Sequence, residues 1–280
     1  MPTQAEKAAQ FLALHQRSAP FVIANPWDAG TARILTSLGY SALSTTSAGL
    51  AFTLGRRDGT ASVSRDETLA NARSIVEATP LPVAADLENG YGHTPEAAAE
   101  TIRLAAVTAG LVGGSIEDAS GESSNPIYDF HHAVERIAAA SAAARILPFP
   151  FMLVARAENY LHGRPDLDDT IRRLQAYEAA GAEVLYAPGI TRPEDIRTVC
   201  ASVSKPVNVL IGIKGAPPLT VKELGALGVR RISVGSGFSR AALTAFLHAA
   251  REVIDHGTFT FNENTLYMSE LADLFERPQR

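Results

Sequence analysis

The stretch Leu81–Gly92, with sequence LPVAADLENGYG, joins the pattern of a buried strand to an acid-rich turn. Its apolar run ends abruptly at Asp86, Glu88 follows two positions later, and the glycines Gly90 and Gly92 come next. A short run that is apolar throughout is typical of a parallel strand that is buried on both faces. We therefore predict a strand with two carboxylates at its end, and a glycine turn whose backbone passes close to a ligand.

Similar short apolar runs recur along the whole chain, and longer helical patterns rich in Ala, Leu, Glu and Arg separate them. The eight runs span residues 21–25, 41–45, 82–86, 113–118, 151–158, 183–188, 206–212 and 231–235. Eight strand–helix units over about 250 residues predict an α/β fold, a (β/α)8 TIM barrel. A doubly wound open sheet is the alternative, but its G-x-G-x-x-G fingerprint does not follow the first strand.

The organisation of the chain predicts one domain with an added helix. Without a Pro- or Ser-rich linker, residues 1–280 are expected to form a single barrel domain. The segment 262–280 has the pattern of an extra amphipathic helix. Its apolar face needs a partner, and another subunit is the expected one.

Composition excludes several classes of function. A net charge of −5 provides no basic surface for nucleic acid or for an anionic membrane. With Cys200 as the single cysteine, no intrachain disulfide can form. No run of about 18 apolar residues could span a membrane, and the first residues do not resemble a signal peptide. The expected location is the cytoplasm.

Polar side chains end several of the predicted strands, where barrel enzymes carry their catalytic groups. Asp86 and Glu88 end the third strand, Glu117 the fourth and Arg156 the fifth, while Asn208 lies on the seventh as a candidate for substrate binding. Carboxylates that share a site of low dielectric need a cation to offset their charge. Because no Cys or His cluster lies nearby, the oxygen donors favour Mg²⁺ over zinc. Helix caps and surface ion pairs are the alternative role for each single acid.

Five motifs resemble the isocitrate lyase/phosphoenolpyruvate mutase superfamily, and together they cover nearly the whole chain. They are TTSAGLAFTLGRRDG (45–59), PVAADLENGYG (82–92), GGSIEDAS (113–120), IYDFHHAVERIAAA (127–140) and VARAENY (154–160). The superfamily includes 2-methylisocitrate lyase, oxaloacetate decarboxylase and phosphonopyruvate hydrolase. The resemblance implies a barrel whose last helix is swapped between subunits, and a homo-oligomer that is a dimer or a tetramer.

The resemblance also implies roles for the acids and the arginine. Asp86 matches the acid that coordinates the metal, and Glu88 and Glu117 match acids that hold the metal's waters. Asp58 matches a further acid of that shell, and the expected catalytic set is Arg156, Glu117 and Asp58. Arg156 matches the arginine that binds substrate oxygens. The implied cofactor is Mg²⁺, with Mn²⁺ as the alternative.

A small-residue turn after the second strand matches the family's site for the substrate carboxylate. In that match, Ser47 and the backbone amides of Ala48 and Gly49 bind the substrate. A shift of the alignment by one residue would give this role to Thr45 or Thr46 instead.

The loop after the fourth strand departs from the family pattern. The best-known isocitrate and methylisocitrate lyases carry a Lys-Cys-Gly-His segment there, whose cysteine is the general acid. Here the segment is DASGESSNPIYDFHH (118–132), without Cys, Lys or Arg. Phosphonate-processing members place cationic groups in this loop, so the departure also weakens a phosphonate substrate. Cys200 is expected to be a buried apolar side chain, and Arg56 and Arg57 are expected on the surface.

The proton carrier is left open by the sequence. The candidates are Tyr91, His93, His131, His132, Tyr160 and His162. Tyr91 and His93 come first because they directly follow the third strand. The segment SVGSGFSRAAL (233–243) resembles a phosphate-binding turn before a helix, with an ordinary tight turn as the alternative.

These features predict an Mg²⁺-dependent carbon–carbon lyase that acts on a small 2-keto or 2-hydroxy di- or tricarboxylate. An enolate intermediate is expected, because a metal can polarise the carbonyl group while a bond at the adjacent carbon breaks. The reaction is C–C cleavage of the 2-methylisocitrate lyase type or decarboxylation of the oxaloacetate type. The alternatives are P–C chemistry, as in phosphonopyruvate hydrolase or phosphoenolpyruvate mutase, and a non-catalytic protein that binds 2-keto acids.

Overall fold

Eight parallel strands form a nearly closed barrel in the computed structural model, which describes residues 1–276. The strands are β1 (Phe21–Ile23), β2 (Leu43–Ser44), β3 (Val83–Asp86), β4 (Gly113–Glu117), β5 (Met152–Arg156), β6 (Val184–Tyr186), β7 (Val207–Leu210) and β8 (Arg231–Ser233). They pair in the order β1-β8-β7-β6-β5-β4-β3-β2, and a bridge from Ala24 to Leu43 brings β1 next to β2. Each strand lies within a predicted apolar run, and the TIM barrel is confirmed.

Helices follow the strands and cover the outside of the barrel. They are α1 (Gln4–His15), α2 (Ala29–Ser37), α3 (Ser47–Thr53), α4 (Arg65–Glu77), α5 (Pro95–Val107), α6 (Phe130–Arg145), α7 (Leu167–Ala179), α8 (Pro193–Ser202), α9 (Val221–Ala226), α10 (Gly237–His256) and α11 (Met268–Glu276), with a 3-10 turn at Thr260–Asn264. The Thr94 side chain caps α5 by accepting from the Ala97 amide, and Pro95 occupies its first turn. Within residues 1–276, no helix combines the length and apolar character that crossing a membrane requires.

Two apolar layers hold the barrel together and leave one end of it open. The larger layer lies between the strands and the outer helices. The smaller one fills the inside of the barrel, where α1 contributes Phe11 and Leu14. A Cβ on Gly113, the first residue of β4, would lie 2.9 Å from the Phe11 ring, so α1 covers the amino-terminal end of the strands. The carboxyl end therefore remains available for a site.

The C-terminal helices differ from the prediction for 262–280. The helix α11 is shorter than that segment and lies against α2 of its own chain, where Arg33 Nη1 donates to the Phe275 carbonyl oxygen at 3.5 Å. Packing on a neighbouring subunit was the expectation for this helix, and residues 277–280 lie outside the described part of the chain. The helix with a large uncovered apolar face is α10 instead, where Phe246 is 70% exposed.

Candidate active site

A cavity of about 260 Å³ opens at the carboxyl end of the barrel. Each of the eight strands, or the loop that follows it, contributes to its wall, as the barrel architecture requires of a catalytic site. Six of the nine predicted site residues line it, namely Ser47, Ala48, Asp58, Asp86, Arg156 and Asn208. The other three are Gly49, Glu88 and Glu117, which lie around this wall without forming part of it.

Arg156 is the centre of the charged part of the cavity. Its Nη1 lies 2.8 Å from Asp86 Oδ1, and its Nη2 lies 3.1 Å from Glu117 Oε2 and 2.9 Å from Glu158 Oε1. Glu117 and Arg156 are directly opposite each other on β4 and β5, which explains their contact. Three carboxylates therefore surround a single buried guanidinium.

Negative charge exceeds positive charge at this end of the barrel. Burial, together with the nearby charges of Asp86 and Asp58, raises the pKa of Glu88 to about 7, against the effect of Arg156. Burial also raises the pKa of Glu158 to about 6. Since burial likewise raises the pKa of Asp58, with Asp86 as the second cause, these carboxylates cannot all stay ionised without another cation.

The donor set fits a hard divalent cation. Asp58, Asp86 and Glu88 offer oxygen atoms only, which Mg²⁺ and Mn²⁺ prefer. In the described part of the chain, no three His, Cys, Asp or Glu side chains already form a cluster that could hold a metal ion. Arg156 lies between Asp86 and Glu117 instead. The uncompensated negative charge, rather than a preformed cage, is the feature that fits the cation.

The small-residue turn after β2 holds the acids in place. Ser47 Oγ donates to Asp86 Oδ2 at 3.1 Å, and the nearby Ser47 hydroxyl lowers the pKa of Asp58 against the larger, opposite effect of burial. Thr46 caps α3 by accepting from the Gly49 amide at 3.3 Å. The Gly49 amide, predicted to bind substrate, is therefore already engaged by Thr46, whereas Ala48 lies in the cavity wall.

The turn after β3 has unusual backbone geometry. Glu88 and Tyr91 adopt left-handed φ angles of 47° and 57°, which cost about 1–3 kcal/mol each for a side chain of this kind. The glycines of this turn were expected to bring its backbone close to a ligand, which stays a prediction, and the structure gives a further reason for them. A Cβ on Gly92 would lie 2.6 Å from a side-chain atom of α5, and one on Gly90 would lie 3.0 Å from its backbone. The glycines are needed because α5 packs so closely on the turn.

A second cavity, of about 610 Å³, lies beside the first, with Glu88 in its wall. Tyr91 and His93 also line it, and the Tyr91 hydroxyl donates to Thr68 Oγ1 at 2.7 Å. His93 Nε2 is 3.9 Å from Glu122 Oε1. The loop that lacks the family's cysteine therefore brings a carboxyl group and an imidazole together next to the acids of the site.

The remaining candidate proton carriers lie further from the cavity wall. His131 and His132 are on α6, and His132 Nε2 donates to the His93 carbonyl oxygen at 2.8 Å. Tyr160 and His162 follow β5, on either side of Leu161, which is itself in the cavity wall. None of these four side chains lines either of the two cavities described here.

Three further predictions concern residues outside the acid cluster. Cys200 is partly buried on α8, where burial raises the pKa of its thiol to about 11, as expected for an unreactive side chain. Arg56 is half exposed and pairs with Glu67 on the surface. The amide of Gly235, in the turn that resembles a phosphate site, donates to Asn25 Oδ1 at 2.9 Å. This favours a tight turn over a phosphate cradle.

Two ionisable residues of the cavity wall, Tyr186 and Arg231, were not predicted from the sequence. Tyr186 ends β6, and its ring lies 5.2 Å from the Arg156 guanidinium carbon. Arg231 begins β8 and is 5% exposed. The sequence pattern that could have indicated Arg231 is the alternation along β8. Arg231 and Ser233 are two positions apart, so their side chains share the inner face of the barrel. Both line the cavity.

Comparisons with known proteins agree with this geometry. The sequence model of the phosphoenolpyruvate phosphomutase family matches residues 11–254. The crystal structure of a proposed lyase/mutase from Burkholderia cenocepacia J2315 superimposes with a TM-score of 0.95 at 56% identity, covering 98% of this chain and 97% of that one. The 2-methylisocitrate lyase of Escherichia coli K12 is 30% identical over 83% of this chain and 80% of its own. An oxaloacetate decarboxylase of Rhodopseudomonas palustris BisB5 is 30% identical over 91% and 86%.

Proposed function

The chain belongs to the phosphoenolpyruvate phosphomutase family, in the superfamily of isocitrate lyase, and it is an enzyme with lyase-type chemistry; from this premise we propose its substrate class and cofactor. We propose a lyase that depends on Mg²⁺ or Mn²⁺ and acts on a small 2-keto or 2-hydroxy di- or tricarboxylate through an enolate. The observation that carries the proposal is the group of carboxylates around Arg156 at the wall of a cavity of about 260 Å³. A cavity of this size can hold a small carboxylic acid.

The proposed metal-binding residues are Asp86, Glu88 and Glu117, with Asp58 beside them. A divalent cation bound there would polarise the keto group and stabilise the enolate charge as the adjacent bond breaks. Ser47 orients Asp86 through its hydroxyl group. In this proposal, the acids concentrate negative charge at the position where the cation binds.

Arg156 is the proposed binding group for the substrate carboxylate. Its guanidinium is fixed by Asp86, Glu117 and Glu158, so its orientation is set before substrate arrives. Burial strengthens a charge-assisted hydrogen bond because water does not compete with it. Ser47, Ala48 and Asn208 would complete the wall around the same carboxylate.

Decarboxylation of an oxaloacetate-like acid is the first reaction to test. It needs an electron sink and a proton donor, whereas cleavage of a 2-hydroxy acid also needs a base for the hydroxyl group. The loop of residues 118–132 supplies no cysteine as general acid. P–C chemistry is the second candidate, because the matching family model is that of a phosphomutase.

A panel of oxaloacetate, 2-methylisocitrate and phosphonopyruvate, assayed with Mg²⁺ and with EDTA, tests the proposal. We expect Mg²⁺-dependent turnover of a carboxylate substrate in the wild type and its loss in Asp86→Ala. Turnover of phosphonopyruvate alone would replace the proposal with P–C chemistry. Magnesium-dependent binding of the keto acids without any turnover would favour a binding protein.

We also propose that the protein is a homo-oligomer in which α10 packs on a second copy. Within α10, Ser239 is the one buried residue, while Leu243, Phe246 and Leu247 are exposed. An apolar face of this kind is typical of a protein interface. Light scattering should show a smaller species for Phe246→Asp than for Ile146→Asp, a control at a 78% exposed apolar residue that follows α6. An unchanged mass in Phe246→Asp would exclude this interface.

A further inference from the structure

Arg231 is a buried cation without an anionic partner. It is 5% exposed, and no carboxylate within residues 1–276 forms an ion pair with it. Its Nε and Nη1 atoms have no hydrogen-bond partner among the described residues. A buried guanidinium normally gains hydrogen bonds that repay its desolvation, and their absence here is costly. The residue therefore has a free capacity to bind an anion.

The surroundings of Arg231 do not neutralise its charge. Burial lowers its pKa to about 10 against the opposite effect of the Tyr186 phenol, so the guanidinium is charged at neutral pH. His15 is the nearby titratable base, and burial, followed by the charge of Arg231, lowers its pKa to about 3. His15 is therefore neutral and adds no charge at this point.

Arg231 lies in the wall of the same cavity as Arg156. Its direct neighbour on β7 is Asn208, so both side chains enter the barrel. The Oδ1 atom of Asn208 also lacks a partner, while its Nδ2 donates to Ser233 Oγ at 3.0 Å. Tyr186 is the neighbour of Arg156 on one side and of Asn208 on the other, so these residues and Arg231 form one row across four strands. The cavity thus has one cationic group on each side of Tyr186.

We propose that Arg231 binds the distal carboxylate of a dicarboxylate substrate and thereby sets the specificity of the site. Arg156 and the acids around it would hold the other end, which carries the keto or hydroxyl group. This inference rests on the proposed function and adds a residue to it. Charge matching is the physical reason, because a second carboxylate is the anion that a small 2-keto or 2-hydroxy dicarboxylate would bring to Arg231.

A purely structural role is the competing explanation. The Arg231 guanidinium carbon lies 5.8 Å from the centre of the Phe11 ring, which is compatible with a cation–π contact to α1. In that case, removing the cation would weaken the fold and would affect all ligands alike. In our proposal, removing it relieves an uncompensated buried charge and affects dicarboxylates selectively.

The test compares two ligands that differ only at the distal group. Racemic malate carries a carboxylate where 2-hydroxybutyrate carries a methyl group. Their dissociation constants are measured by calorimetry with Mg²⁺ present, for the wild type, Arg231→Met and Arg231→Lys. The matched control is Arg230→Met, because Arg230 donates to the carbonyl oxygens of Gly228 and Val229 rather than lining the cavity.

We expect Arg231→Met to bind malate about tenfold to a hundredfold more weakly than the wild type does, as for one lost hydrogen bond to a charged group. Its affinity for 2-hydroxybutyrate and its melting temperature should not fall. Arg231→Lys should retain part of the preference for malate, and Arg230→Met should retain all of it.

Three outcomes would overturn the inference. In Arg231→Met, an equal loss of affinity for both ligands, or an unchanged preference for malate, would show that Arg231 does not bind the distal carboxylate. A lower melting temperature in both Arg231 variants, with the malate preference intact in Arg231→Lys and Arg231→Met, would assign a structural role. Wild-type protein that binds neither ligand would contradict the proposed function itself, which separates that failure from the others.

Discussion

Glu117 and Asp118 are adjacent acids that serve two different clusters of charge. Glu117 is the last residue of β4 and contacts Arg156 on the cavity side. Asp118 accepts from the Tyr177 hydroxyl at 2.6 Å and pairs with Arg173 Nη1 at 3.1 Å, beneath the helices. Adjacent side chains at a strand end point to opposite faces, so one acid enters the barrel and the other leaves it.

The two clusters differ in their balance of charge. Asp118 receives hydrogen bonds on both oxygens, since the Glu158 amide also donates to its Oδ1 at 2.8 Å. Its arginine partner, Arg173, is shared with Asp169, and Asp169 also pairs with Arg172, so two carboxylates face two guanidinium groups. Arg156, in contrast, is shared by three carboxylates. A balanced cluster stabilises the fold, whereas an unbalanced cluster has charge left over for a ligand.

The largest effect is expected in the balanced cluster. Asp118→Ala leaves the buried Arg173 and Tyr177 with fewer partners, so the free energy of unfolding should fall by about 3–5 kcal/mol. Urea denaturation measures it, with Asp168→Ala, an exposed acid on the first turn of α7, as the control. A loss below about 1 kcal/mol would mean that Asp118 does not hold the helices on the barrel.

The second effect is expected in activity rather than in stability. Arg156→Ala should lower kcat/KM by about a hundredfold to a thousandfold, as for the loss of a preorganised donor at the reacting charge. Its melting temperature should change less than that of Asp118→Ala, because the remaining acids can take up protons.

Kinetics on the first substrate with magnesium-dependent turnover measures this difference. Arg103→Ala, which breaks an exposed pair with Glu100 on α5, is the control. If Arg156→Ala unfolds as readily as Asp118→Ala and keeps its activity when folded, the comparison between the two clusters is wrong.

Much of the fold and part of the site could be predicted from the order of apolar strands and helices along the chain. The barrel follows from apolar strands that alternate with helices, and the strand-end rule then brings Asp86 and Arg156 to one cavity. The sequence could not show that Asp118 pairs with Arg173 and Tyr177, because those partners depend on how α7 packs on the barrel. It could not show either that Arg231 lacks a partner, because partners are decided by packing across the barrel. The contact of α11 with α2 of its own chain also depends on packing, and the expected packing of this segment on a neighbouring subunit stays a prediction.

A third effect concerns the pH dependence of the metal-free protein. Burial raises the pKa of Glu88 from the usual 4.5 to about 7. The stability that neutral Glu88 contributes is therefore fully present below pH 4.5 and is lost as the pH rises through 7. Between pH 5 and pH 8, the wild type should therefore lose roughly 1–3 kcal/mol more stability than Glu88→Gln does. Urea unfolding in EDTA measures the difference. Added Mg²⁺ should restore the wild type at pH 8, and a flat difference between the two proteins would rule out a raised pKa.

The smallest effect is expected in the loop beside the second cavity. Glu122 is more than half exposed and lies 3.9 Å from His93, so water screens their interaction. Glu122→Ala should lower kcat/KM by about tenfold or less, near 1.4 kcal/mol, far below the effect of Arg156→Ala. Ser123→Ala is the matched control in the same loop.

A Glu122 variant as inactive as Arg156→Ala would contradict this order. It would mean that a carboxyl group from the loop takes the place of the family's missing cysteine as the proton donor. The pH profile of kcat distinguishes the two cases, because a general acid removes one limb of that profile when it is replaced. A screened surface carboxylate leaves both limbs in place, and the unbalanced cluster around Arg156 then carries the chemistry without the loop.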